Sequence, residues 1–334
     1  MLASLFTQSS VSFDPETDIP DLSGKVIAIT GGNAGLGKET VLRLASHNPS
    51  HIYILARNLT STQEAITGIQ TLIGPSCAPI TPIKCDLADL DSVKAAAKDL
   101  QSKTSRLDIL FLNAGIMLVA PGLTAQGYEI QFGTNHMGHF LLAQLLLPVL
   151  RSTASSFPDA DVRVVVLSSL GMYATIVGGY WGGGIDFDSL KQAGSSFVLA
   201  NCFRYGQAKL ANALFAKEMQ KRYGGDGITC ISVHPGVITT GLWKHFFGFA
   251  KNWGIGGSWI SGWGKYIPVV GPRSVEEGAV NQLWAAVGKR NELPGGEFCV
   301  PVGVQGAGMP ASSDIELAGR LWEWSAKEVA GYMP

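Results

Sequence analysis

Short runs of apolar, often β-branched residues recur along this chain, and most are followed by a longer stretch with helical spacing. The runs occupy residues 25–30, 51–56, 80–84, 107–112, 162–167, 228–233 and 297–300. Segments of helix length lie between most of them, for example 35–47, 90–103 and 134–150. Strand alternating with helix predicts an α/β fold, a parallel sheet with crossover helices on both faces. Near-continuous apolar strands such as VIAIT and VVVL fit a sheet that is buried on both sides. Residues 1–23 carry no sustained period and read as an extension, followed by a single domain over 24–334. Gly/Ser-rich stretches at 178–196 and 254–264 read as insertions into that domain, not as linkers. The stretch 316–329 alternates charged and apolar residues as a docking helix does.

Composition narrows the functional classes. Charged residues make up 15% of the chain, well below the roughly 25% of an average soluble domain. The formal net charge is −1, so there is no basic face for nucleic acid. The longest uncharged stretch, 164–185, is long enough to span a bilayer, but its serines and cluster of glycines favour a buried strand followed by a loop. The N-terminus lacks the basic start and apolar core of a secretory signal. Five dispersed cysteines (Cys77, Cys85, Cys202, Cys230, Cys299) without a CxxC pair fit reduced thiols and a cytoplasmic setting. His136 and His139 share a helix face, but no neighbouring Cys or carboxylate completes a ligand set, so no metal is expected.

Two constellations carry chemistry. The first is Thr30-Gly31-Gly32-Asn33-Ala34-Gly35-Leu36-Gly37, directly after the first strand and opening a helix. Glycines there let the backbone turn tightly and approach a pyrophosphate, which the helix N-terminus attracts with free N–H groups and its dipole. The second strand ends Ala56-Arg57-Asn58 with no acid. An acid there would bind a free ribose 2′-OH; Arg57 instead can fork onto a 2′-phosphate, which favours NADP(H). Lys38 reads as a solvent-facing helix residue. The second constellation is Tyr205-Gly206-Gln207-Ala208-Lys209, read as the start of a helix, where positions i and i+4 share a face. An ammonium beside a phenol is expected to lower its pKa from about 10.

With its GxxxGxG spacing the sequence resembles the short-chain dehydrogenase/reductase family over about residues 24–300. It is most similar to fungal members and to the retinol-dehydrogenase and carbonyl-reductase branches. The matching pieces are the TGxxxGxG turn, Asp86-Leu87 after the third strand, Asn113-Ala114-Gly115 after the fourth, Tyr205/Lys209, and Pro235-Gly236 after the sixth. The resemblance implies a Rossmann-like doubly wound sheet. It implies cofactor contacts from Gly31, Asn33, Gly35, Leu36, Gly37, Arg57, Asp86, Leu87, Asn113, Ala114, Gly115, Lys209, Pro235, Gly236, Val237 and Thr240. Within that set Asp86 would meet the adenine and Thr240 the nicotinamide end. It implies that Tyr205 is the acid/base, that Lys209 holds the nicotinamide ribose, that Ser169 bonds the reacting oxygen (Ser168 if the register slips), and that Asn135 holds a relay water.

The chain departs from the family pattern in a long segment, 171–200, between Ser169 and Tyr205. The family's dimer face lies on the Tyr205 helix and the 134–150 helix, so an insertion there is compatible with a monomer as well as a homodimer. Residues 237–272 would form a substrate lid. Its aromatic residues, Trp243, Phe246 and Phe247 among them, point to a bulky lipophilic carbonyl or alcohol substrate. The same aromatic set suits peripheral membrane contact. The expectation is an NADP(H)-dependent reductase/dehydrogenase, with the likeness to fungal members pointing to secondary metabolism. The alternatives are a redox-neutral cyclase or isomerase on the same fold and a non-catalytic NADP(H)-binding protein.

Overall fold

In the computed structural model, residues 11–177, 184–236, 238 and 274–334 are described. Seven strands form one sheet in the order β3-β2-β1-β4-β5-β6-β7, all parallel. They are β1 (Val26–Thr30), β2 (His51–Ala56), β3 (Ile80–Lys84), β4 (Ile109–Leu112), β5 (Val162–Leu167), β6 (Ile228–Val233) and β7 (Phe298–Cys299). All the residues of β1, β4 and β5 are buried, as a two-sided sheet requires. The strand order reverses between β1 and β4, which opens a crevice at their carboxyl ends, the usual ligand position in such sheets.

Helices cover both faces. The first face holds α1 (Gly35–Ala45), α2 (Leu59–Ile73) and α6 (Val275–Val287), whose Val41, Ile66, Leu283 and Trp284 pack on Ile27, Ile29 and Phe111. The second face holds α3 (Leu90–Lys103), α4 (Gly138–Ser156) and α5 (Val198–Tyr223). The docking stretch read from sequence is α7 (Ile315–Val329), which lies on α5. Trp322 stacks on Phe215 at 5.7 Å and meets Phe140 edge-on at 5.1 Å, while the Arg222 guanidinium sits 4.8 Å from its ring. Residues 11–23 form no helix or strand, yet they are not detached. Ile19 and Leu22 are buried, and the Val11 N–H donates to the Val302 carbonyl at 2.9 Å.

Three boundaries differ from those read off the pattern. The expected 134–150 helix is α4, preceded by one α-turn (Ile130–Phe132) and a π-turn (Gly133–Met137). Gly138 makes this path feasible: a Cβ there would collide with the Leu87 backbone, so the helix passes directly against the loop after β3. The described residues of the 171–200 segment hold the end of one 3-10 turn (Leu170–Tyr173), a short helix (Ala174–Val177) and a second 3-10 turn (Phe187–Ser189), and its last three residues already belong to α5. Tyr205 therefore lies inside α5 and does not start it. The lid expected over 237–272 falls outside the described residues, apart from Ile238. Among the described residues no helix is long and apolar enough to cross a membrane.

Candidate active site

The glycine turn is built by backbone proximity. Gly31 and Gly35 adopt φ of +68° and +50°, which other residues reach only with strain. A Cβ on Gly37 would collide with the Gly31 carbonyl oxygen and lie 2.6 Å from Asn113 Nδ2; a Cβ on Gly31 would lie 3.0 Å from that of Ala114. Turn, helix and the 113–115 loop thus close on one another with no room for side chains. Ala34 gives α1 no side-chain cap and the first turn holds no acid, so its N–H groups and dipole are available to an anion. Asn113 Nδ2 donates to the Thr30 carbonyl at 2.9 Å, while its buried Oδ1 has no hydrogen-bond partner among the described residues. These residues fit a dinucleotide: a free helix N-terminus, a cradle that a Cβ would fill, and an open buried acceptor.

Around this turn the other expected residues take their places. Asn33 Nδ2 donates to the Ser61 hydroxyl at 3.3 Å, tying the turn to α2. Leu36 is half-buried at the start of α1. Arg57 is exposed directly after β2. Lys84, which pattern reading did not single out, donates from Nζ to the Arg57 carbonyl. The parallel register pairs Ala56 with Lys84, which brings the ends of β2 and β3 side by side. Asp86 Oδ1 accepts from the Ala88 N–H at 3.0 Å, and Leu87 is buried beside it. Pro235 and Gly236 (φ +92°) turn the chain after β6. Val237, Thr240, Trp243, Phe246 and Phe247 lie outside the described residues.

The second constellation converges on Tyr205. Ser169 Oγ lies beside it, 3.3 Å from where a Gly171 Cβ would sit, and accepts from the Gly171 N–H at 3.0 Å. Gly171 admits the ring: a Cβ there would sit 2.7 Å from the Tyr205 Cε1. Ser168 faces elsewhere, donating to the Lys209 carbonyl at 2.6 Å, so the register places Ser169 at the tyrosine. Lys209 is 3% exposed; its Nζ donates to the Leu167 carbonyl at 3.0 Å and lies 5.6 Å from the Tyr205 ring centroid. Asn135 sits in the π-turn and holds the loop after β4, accepting from the Ile116 N–H at 2.8 Å and donating to the Ile116 carbonyl at 2.9 Å. Gly115 lies between Asn135 and Lys209: a Cβ there would be 3.2 Å from Asn135 Oδ1 and 3.6 Å from Lys209 Nζ.

The electrostatics correct one expectation. Burial pushes the Tyr205 phenol up to about 12 against the downward pull of the Ser169 hydroxyl, and pushes the Lys209 ammonium down to about 8. Losing water costs the phenolate more than its neighbours return, so the lysine does not drag the tyrosine into the neutral range. The same burial holds His136 and His139 near 3, as neutral imidazoles. His136 Nε2 meets the Ser325 hydroxyl at 3.2 Å, and His139 bonds Thr30 and Asn135. No cluster of three or more His, Cys, Asp or Glu able to hold a metal occurs among the described residues.

A switch-point crevice with a glycine turn at one end and a Ser–Tyr–Lys cluster at the other is the architecture of a nucleotide-dependent oxidoreductase. Residues 25–176 match the family model for short chain dehydrogenase. A short-chain dehydrogenase/reductase of Armillaria gallica is 37% identical, with 94% of this chain and 93% of that protein covered. Retinol dehydrogenase 11 of Mus musculus is 35% identical, over 91% of this chain and 86% of that protein. The crystal structure of an uncharacterized protein from Mycobacterium paratuberculosis superposes with a TM-score of 0.69 at 28% identity, covering 96% of this chain and 98% of that one. The chain belongs to the short-chain dehydrogenase/reductase family, whose members are oxidoreductases acting on alcohols and carbonyls through a nicotinamide cofactor.

Proposed function

We propose that the protein is an NADP(H)-dependent reductase/dehydrogenase for a carbonyl or alcohol on a bulky lipophilic substrate. The observation that carries this reading is that Tyr205 and Ser169 meet at Gly171, with the buried Lys209 beside the tyrosine ring. In reduction Tyr205 donates its proton to the carbonyl oxygen, and Ser169 bonds the same oxygen. A phenol held at about 12 keeps that proton until the oxygen becomes basic enough to take it. Lys209 holds the nicotinamide ribose and, as an ammonium, stabilises negative charge growing on Tyr205. Asn135 keeps the 115–116 loop in place and holds a relay water. A nicotinamide dinucleotide, when bound, would supply or accept the hydride.

A nicotinamide dinucleotide would be held by Gly31, Asn33, Gly35, Leu36 and Gly37 at its phosphates, by Asp86 and Leu87 at its adenine, and by Asn113, Ala114, Gly115, Pro235, Gly236, Val237 and Thr240 beyond them. The cations Arg57 and Lys84, after β2 and at the end of β3, with no acid at the end of β2, support NADP(H) over NAD(H). A lipophilic substrate is supported by the aromatic residues of 237–272 and by exposed Ile176, Phe197 and Leu199 on the 171–200 segment. The name of the mouse relative, a retinol dehydrogenase, points the same way. A place in secondary metabolism rests on the likeness to fungal members alone, of which the Armillaria gallica protein is one. The α7 aromatic cover over α4 and α5 supports a monomer.

The test follows NADPH absorbance with all-trans-retinal and a panel of bulky aromatic ketones and aldehydes. Stoichiometric NADPH loss with alcohol formation supports the reading. Product formed without NADPH loss identifies a redox-neutral enzyme instead. NADPH binding with no turnover on any substrate favours a binding protein.

A further inference from the structure

We propose that His139 is a positioning residue that couples the glycine turn to Asn135, so that the cofactor end and the proton-transfer end of the site keep one register. The ring lies on α4, one turn beyond Asn135, and is 2% exposed. Its Nδ1 is 2.9 Å from the Asn135 carbonyl oxygen and its Nε2 is 2.8 Å from Thr30 Oγ1.

The proton accounting is closed. A carbonyl only accepts, so Nδ1 carries the ring proton and donates it to Asn135. In the neutral ring Nε2 then offers a lone pair, and the Thr30 hydroxyl donates to it. That leaves the Thr30 oxygen free to accept from the Asn113 and Ala114 N–H groups, both at 3.0 Å. The only other taker for the Thr30 proton here, the Phe111 carbonyl, is 3.4 Å away.

One imidazole thereby ties two backbone segments directly, at Thr30 and Asn135, and a third, Asn113-Ala114, through the Thr30 hydroxyl. Thr30 ends β1 and begins the glycine turn. Asn113-Ala114 ends β4 and opens the loop that Asn135 holds through Ile116. Lys209 lies beyond Gly115 in the same stack. A protonated ring would present a second donor to Thr30 and force the threonine proton off its short bond. The neutral, single-tautomer form is therefore the one the geometry uses. The role is distinct from that of His136, which faces the α7 side and meets Ser325.

The inference rests on the cofactor placement proposed above, and its test separates the two. Dissociation constants for NADPH are measured by fluorescence for the unmodified chain, Thr30→Val, His139→Leu and the double variant, with His139→Gln as a second form that keeps polarity. Coupling through the ring predicts that His139→Leu weakens NADPH about tenfold in the Thr30 background and less than about twofold in the Thr30→Val background. Additive losses overturn the proposal. The unmodified chain without cofactor gives an independent arm by nitrogen NMR of labelled histidine. A slowly exchanging Nδ1–H tautomer that stays neutral through pH 5 supports the inference, whether or not the variants fold. An Nε2–H tautomer, or titration near the ordinary histidine value of about 6.5, overturns it. Failure of the unmodified chain to bind NADPH or NADH would sink the cofactor reading and leave the tautomer result standing by itself.

Discussion

The two ends of the site achieve precision by opposite means. At the glycine turn the work is done by backbone and by the absence of side chains: Gly31 and Gly37 leave little room for a Cβ, and Gly31 and Gly35 take positive φ. At the tyrosine end the work is done by side chains from separate elements: Ser169 after β5, and Tyr205 and Lys209 one turn apart on α5. Backbone geometry tolerates almost no substitution, yet it needs no tuning of charge. The side-chain cluster tolerates changes of shape better but depends on how burial and hydrogen bonding divide the cost of each charge. The comparison teaches that the first end fails by steric change and the second by electrostatic change.

Substitutions can break that contrast in order of size. Tyr205→Phe removes the proton donor and keeps the ring; kcat is expected to fall by about 10³-fold or more with NADPH affinity within about threefold. Steady-state rates together with a binding titration check it. Gly37→Ala adds one methyl against the Gly31 carbonyl and should weaken NADPH by about 10²-fold while leaving the Tyr205–Ser169 pair intact. Equal NADPH affinity for the alanine form would show that the turn has slack. Arg57→Ala should cost NADPH about tenfold and NADH little, because the proposed role of the guanidinium is to meet the 2′-phosphate alone. Equal losses for the two cofactors would remove the 2′-phosphate assignment.

The pH dependence is a smaller and gentler effect. Lys209 is an ammonium below its value of about 8 and a neutral amine above it. Tyr205 keeps its proton through the same range, because burial holds it up to about 12. The reduction rate should therefore decline as pH rises through about 8, and Lys209→Met should flatten the decline while lowering the rate throughout. A profile that rises through the same window would mean that tyrosine ionisation, and not the lysine charge, governs the step.

Much of this was legible in the chain because it is local. β2, β3, β5, β6 and α3 lie where their apolar spacing put them, and the glycine turn follows its strand directly. What was not legible depends on distance. Nothing in Leu167-Ser168-Ser169 says which serine faces the tyrosine; the Ser168 bond to the Lys209 carbonyl decides it. Lys84 joins Arg57 only because β2 and β3 are in parallel register. The sign of the Tyr205 shift came out opposite to expectation because spacing reveals a neighbouring charge but not the loss of water. The π-turn ahead of α4 has no periodic signature over so few residues, although Gly138 marks where the helix must approach another backbone. His139 read as one of two histidines on a helix face, and its bonds reach back across the whole first half of the fold.

The decisive measurement is a pre-steady-state reduction of all-trans-retinal or a turned-over aromatic ketone by NADPH-saturated enzyme, with the unmodified chain and Tyr205→Phe compared at matched cofactor occupancy. Proton donation by Tyr205 requires NADPH oxidation in step with alcohol formation in the first and its near loss in the second. Comparable NADPH oxidation by both proteins would contradict the assignment of Tyr205 as the proton donor.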